Sequence, residues 1–169
     1  LGSLLDAVPH TREVRITGRA SSPELTQQVE WLGVRHSGYQ GPTGLHTAFW
    51  QACDKLGLPN ASIWGHCPHY VNTSPNPKVS FSLLTKLPSV VDFDVELEEL
   101  RLAGEAFEEE VTKAIAKEPA VSAYVKRLEE RHDAAVDSAG DIPSPDAMVK
   151  ELEEFLKSQR QQSDTGEQT

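Results

Sequence analysis

A chain of 169 residues with 38% apolar content is long enough to bury one core and short for two domains. Its 26 acidic and 16 basic residues give a net charge of −10, which repels phosphate backbones and anionic membranes and argues against a nucleic-acid role. Arg12, Arg15 and Arg19 are the one tight basic group, and alternation along a strand accounts for them.

Leu1 to Thr11 reads as irregular, with Pro9 and His10 marking a loop. Arg12 to Ala20 alternates and places Val14 and Ile16 on one face, the pattern of a half-buried strand. Ser22-Pro23-Glu24 supplies a cap, a proline at the first helical position and an acid in the first turn, so Leu25, Val29 and Leu32 are expected along one side of a short helix. His36 to Gly44 is a glycine-bearing loop. After it, Leu45, Ala48, Phe49, Ala52, Cys53 and Leu56 recur at three- and four-residue steps until Gly57 and Pro59 stop the helix.

Ala61 to His66 is short, apolar and bounded by turn formers, as a buried strand would be. Helix followed by buried strand points to an α/β layer arrangement. Asn76-Pro77 opens another helix bearing Val79, Leu83, Leu84 and Leu87. Beyond Asp92 an acidic helical stretch carries Leu100, Ala103, Phe107, Val111 and Ile115; Pro119 interrupts it, and Val121, Tyr124, Val125 and Leu128 continue the apolar pattern. A helix pair or one kinked helix is expected. Asp133 to Ile142 reads as a linker, Ser144-Pro145-Asp146 opens a last helix with Val149, Leu152 and Leu156, and the polar tail from Ser158 has nothing to bury.

Among possible sites, Ser37-Gly38-Tyr39-Gln40-Gly41-Pro42-Thr43-Gly44 runs into a helix start, where backbone N–H groups and the helix dipole favour an anion. It lacks the Lys-[Ser/Thr] ending of a P-loop and the spacing of a dinucleotide fold. The structural alternative is that Gly41 and Gly44 permit unusual backbone angles while Thr43 caps the helix. His66-Cys67-Pro68-His69-Tyr70 follows a buried strand, where α/β sheets place ligand crevices. Taken as metal ligands, His66, Cys67 and His69 fit no standard zinc spacing, and hydrogen-bonded loop histidines are the default. Together Tyr39, Gly41, Thr43, Gly44, His66 and His69 form the candidate ligand site.

Ser37, Thr43 and Cys67 are conceivable nucleophiles, but no G-x-S-x-G elbow is present. Acidic residues from Glu96 to Glu110 read as a solvated helix face, and Phe49, Trp50 and Trp64 as core. No cofactor is expected.

No apolar run approaches the ~18 residues that cross a bilayer, and Leu1 to Val8 lacks the flank and core of a secretory signal. Cys53 and Cys67 form no C-x-x-C pattern, which suits structural thiols in the cytoplasm and disfavours a disulfide between them. The chain opens on Leu1 and its one methionine is Met148, so its beginning reads as cut, with sequence expected upstream.

Asp6-Ala7-Val8-Pro9-His10-Thr11-Arg12, Tyr39-Gln40-Gly41-Pro42-Thr43-Gly44 and Ser62-Ile63-Trp64-Gly65-His66-Cys67-Pro68-His69-Tyr70-Val71, in this order, resemble the actinobacterial branch of the proteasome assembly chaperone 2 family. Asn76-Pro77-Lys78 and Glu151-Leu152-Glu153-Glu154-Phe155-Leu156 extend the resemblance. It implies a three-layer α/β/α sandwich around a mixed sheet, similar to the nucleoside phosphorylase and hydrolase architecture, with a helical C-terminal extension. Residues 1–92 would then be the C-terminal part of an α/β domain, 93–157 the extension and 158–169 a disordered tail. The resemblance also implies a non-catalytic assembly or scaffold role through protein partners, commonly as a homo-oligomer; full-length members carry an N-terminal half that has no counterpart here, so that part of the sheet is expected from a partner chain, from a separate fragment or not at all. The alternative expectation is a small-molecule enzyme or sensor using the Gly41–Gly44 helix start and His66.

Overall fold

The computed structural model describes residues 1–36, 44–71, 73–91 and 94–137. Their elements, in chain order, are β1 (Gly2–Asp6), β2 (Ile16–Ala20), α1 (Pro23–Trp31), β3 (Arg35–His36), α2 (Leu45–Lys55), β4 (Ala61–Pro68), α3 (Pro77–Leu84), α4 (Glu98–Ile115) and α5 (Pro119–Asp137), with a 3-10 turn at Leu87–Ser89. The expected helix after Ser144 and the polar tail lie outside the described residues.

The strands form one mixed sheet in the order β1-β4-β2-β3. β4 is central, parallel to β1 and antiparallel to β2. In the register, Gly2 lies beside Trp64 and Leu4 beside His66 on one side, while Ile16 lies beside Gly65 and Thr17 beside Trp64 on the other. Because side chains alternate along a strand, the odd-numbered residues of β4 face one layer and the even-numbered ones the other.

The odd face is the apolar one. Ile63 of β4 and Ile16 of β2 pack with Val34, with Val29 of α1 and with Val79 and Leu83 of α3. At Gly65 a side chain would have no room: a Cβ there would lie 2.5 Å from Val79 Cγ1, so glycine lets α3 press onto the sheet. In turn α4 lies close on α3, with Gly104 facing the Lys78 backbone.

α1 and α3 begin as their sequences require. Ser22 accepts a hydrogen bond from the Leu25 N–H and Asn76 from the Val79 N–H, and each cap is followed by proline. α2 ends before Gly57, whose φ of +66° suits glycine. It lies on the even face of the sheet, giving the third layer: His46 Nε2 is 2.6 Å from Ser62 Oγ, and the Arg19 guanidinium stacks 4.1 Å above the Trp50 ring.

Three local expectations need correction. Leu1 to Thr11 is not wholly irregular, since Gly2–Asp6 forms β1; its adjacent leucines, Leu4 and Leu5, point to opposite faces and hide the alternation. The strand expected from Arg12 begins only at Ile16. The linker expected from Asp133 is helical to Asp137, and Arg12 holds Asp133 with two hydrogen bonds of 2.8 Å. The proline at 119 separates two helices, and α5 buries Tyr124, Val125 and Leu128.

Candidate functional site

At the end of β4 the fold assembles a polar array that no local motif announces. His66 points from the even face between two neighbouring strands. Its Nδ1 is 2.6 Å from Asp6 Oδ2 on β1, and its Nε2 is 2.9 Å from Thr17 Oγ1 on β2. With Nδ1–H donating to the carboxylate, Nε2 accepts the Thr17 hydroxyl proton. His66 and Thr17 are both buried. Burial opposes the charge on Asp6, but the His66 bond, the Ala7 N–H and the Arg15 guanidinium outweigh it and hold the carboxyl below its usual value.

This is the order acid, imidazole, hydroxyl that activates a nucleophile in other folds. Here the hydroxyl belongs to a buried residue in the middle of a strand. What the array does in the described structure is tie β1, β4 and β2 together through satisfied polar groups.

A second array lies where the helical segment meets the sheet. The Tyr70 hydroxyl accepts from the His10 backbone N–H at 2.8 Å and lies 2.9 Å from His10 Nδ1, while His10 Nε2 is 3.1 Å from Thr112 Oγ1. Thr112 already donates to the Glu108 carbonyl, so its oxygen is an acceptor. One proton arrangement satisfies every group: Nε2–H donates to Thr112, and Nδ1 accepts from Tyr70. That is a neutral imidazole. Burial accordingly lowers the His10 pKa, and burial also raises that of the Tyr70 phenol. His69 packs edge-on against Tyr70 and Tyr124, with its Nδ1 3.0 Å from the Asp6 carbonyl. Lys78 donates to the His10 carbonyl and pairs with Glu108.

Of the residues expected to form a ligand site, Tyr39, Gly41 and Thr43 lie outside the described residues. Gly44 is the N-cap of α2, without a side-chain cap, and no atom lies within 4 Å of where its Cβ would be. His66 is committed to Asp6 and Thr17, and His69 to the tyrosine cluster. Cys67 is on the opposite sheet face from His66, so the set His66, Cys67 and His69 does not converge. Among the described residues no cluster of histidine, cysteine and carboxylate side chains has the arrangement of a metal site. Burial pushes the Cys67 thiol up, which makes it a poor nucleophile, and both cysteines are free. The acidic run is an ion-paired helix surface: Arg101 bonds Glu98 and Glu105, and Lys113 bonds Glu109. Sequence reasoning missed Asp6 and Thr17: Asp6 had one signal, its place in the Asp6-to-Arg12 block, and Thr17 had none.

The outer side of α2 differs from both arrays. His46, Trp50 and Cys53 turn toward the sheet, so Leu45, Phe49 and Leu56, spaced for the opposite stripe, are turned outward. They are 89%, 67% and 73% exposed. The apolar periodicity predicted a helix correctly and its burial incorrectly. A helix apolar on two sides needs cover on both.

The PAC2 family profile matches residues 1–115. This chain belongs to the PAC2 family. It is 37% identical to a proteasome-assembly chaperone homologue of Mycobacterium tuberculosis, with a TM-score of 0.61 over 73% of this chain and 51% of that one. A PAC2 family protein of Streptomyces avermitilis is 35% identical, with a TM-score of 0.62 over 73% of this chain and 50% of that one. A Mycobacterium tuberculosis protein of unknown function shares the fold at 22% identity and a TM-score of 0.72, over 82% and 46%. The chain therefore spans about half the length of these PAC2 relatives. No curated protein matches it. The α/β fold with a mixed open sheet is that of these relatives, and no described helix is long and apolar enough to cross a membrane.

Proposed function

We propose that this PAC2 protein is a non-catalytic assembly or scaffold factor of the cytoplasm that works by docking onto protein chains, copies of itself included. The observation that carries the reading is the outward stripe of α2. Leu45, Phe49 and Leu56 present apolar surface on a helix whose other side already packs on the sheet, and apolar patches of this kind mark protein contacts. β1 adds a second feature, since it is an edge strand with Leu5 largely exposed. The kinship with a proteasome-assembly chaperone homologue supports the same role.

Native mass spectrometry of the full chain tests this reading. Assemblies above the 18.6 kDa monomer are expected, and F49E should return them to monomer with an unchanged circular dichroism spectrum. A wild-type chain that stays monomeric at micromolar concentration, or an F49E variant that assembles equally well, would overturn it.

The second reading is a small-molecule enzyme or sensor, and the Asp6, His66, Thr17 order is what favours it. It predicts acylation of Thr17 by an activated ester, seen as a mass increase absent from T17A. No mass increase in the wild-type chain would dismiss the enzymatic form of this reading.

A further inference from the structure

The outward stripe of α2 carries no charge. Leu45, Phe49, Ala52 and Leu56 are all exposed on it, and the charged residues of the helix are one acid and one base, Asp54 and Lys55, which offset each other. Two copies of a chain of net charge −10 repel one another at long range. Across an uncharged stripe they meet without a local like-charge contact, and a basic partner finds no acidic patch there to hold it.

The spacing of the stripe makes it complementary to itself. Leu45 and Leu56 are about three helical turns apart, so they lie on one line along the helix. Phe49 follows Leu45 at the same interval by which Ala52 precedes Leu56. When a second α2 runs antiparallel with its Leu56 against Leu45, its Ala52 therefore falls against Phe49, and a two-fold axis repeats both contacts. Large against small lets the two helices interlock. In a parallel pair Phe49 meets Phe49 and Ala52 meets Ala52, which overpacks one level and leaves a gap at the other.

Taking α2 as the docking surface proposed above, we infer that its partner is α2 of a second copy, antiparallel about a two-fold axis, with Leu45 of each against Leu56 of the other and Phe49 against Ala52. The area sets the strength. Two such stripes bury roughly 800 Å² in total, below the ~1,200–2,000 Å² of stable complexes, so the dimer is reversible.

Sedimentation equilibrium of the full chain, of L45E, of L56K and of an equimolar mixture of the two variants tests this register. Both positions are exposed, so neither change removes a buried contact, and circular dichroism should match wild type. The wild-type chain should dimerise at micromolar concentration, and more strongly as added salt screens its net charge. L45E and L56K should each weaken dimerisation about tenfold or more, since each sets a charge against an apolar partner. Their mixture should recover it to within about threefold of wild type. Only the antiparallel register sets the new carboxylate of one variant beside the new ammonium of the other and keeps leucine against leucine at the second contact. Dimers that F49E abolishes and the mixture does not restore overturn the register while leaving docking through α2 standing. A wild-type chain that stays monomeric overturns both. Variants that dimerise as wild type does, or dimers that weaken with added salt, overturn the α2 pairing.

Discussion

His66 Nδ1 and Asp6 Oδ2 are 2.6 Å apart, so the central strand is bonded through its side chain to the edge strand beside it. Removing the carboxylate leaves a buried imidazole N–H without its acceptor. Asp6→Ala should therefore lower the unfolding free energy by about 1–3 kcal/mol, measured by urea denaturation. The depressed Asp6 pKa also gives the pH sign. Its stabilisation is fully present above the ordinary value of 3.8 and is lost as pH falls through the lower folded value. Stability of Asp6→Ala equal to wild type at neutral pH would refute the tie.

The His10 prediction has a higher pH window. Its folded pKa is depressed from 6.5, chiefly by burial, so the unfolded chain binds the proton more readily. Stability from neutral His10 is complete above 6.5 and declines as pH falls from there toward the folded value. NMR titration of the ring should place its midpoint below 6.5. A midpoint above that value would contradict the assignment of Nε2–H to Thr112 and of Nδ1 as acceptor.

Gly65 sets the distance between sheet and α3. A Cβ there would come within 2.5 Å of Val79 Cγ1 and 3.2 Å of Leu83. Overpacking of this kind costs about 1–3 kcal/mol, so Gly65→Ala should lower the unfolding free energy by that amount in urea denaturation. A neutral result would mean that α3 is free to move outward.

Leu128 is 1% exposed on α5. Truncation to alanine should destabilise the protein by about 2–5 kcal/mol, the range for a buried leucine, and loosen α5. Hydrogen exchange along residues 119–137 would show that loosening directly. Wild-type protection in Leu128→Ala would mean that α5 does not depend on this contact.

Much of the fold was legible because its signals are local. Ser22-Pro23 and Asn76-Pro77 cap their helices within a few residues, Gly57 stops α2 through its own φ, and Ala61 to His66 carries the apolar density of a central strand. β1 was hidden because it is a strand by virtue of its pairing with β4. The candidate site was less legible. His66 stood out by position, whereas its partners Asp6 and Thr17 are ordinary residues brought to it by strand register. The side of α2 that meets the sheet was misread: His46 and Trp50 turn inward while Leu45 and Phe49 are left outside, and a periodicity cannot say which of two apolar stripes finds cover.

Residue order alone determined the α/β class, the starts of α1 and α3, the end of α2 and the family blocks, because capping, turn formation and periodicity depend on neighbours along the chain. Only the tertiary structure decided that Asp6, Thr17 and His66 share hydrogen bonds, and that His10 meets Tyr70 and Thr112. Those relationships join residues far apart in the chain, and they exist only where sheet register and helix docking bring their atoms within a few ångströms.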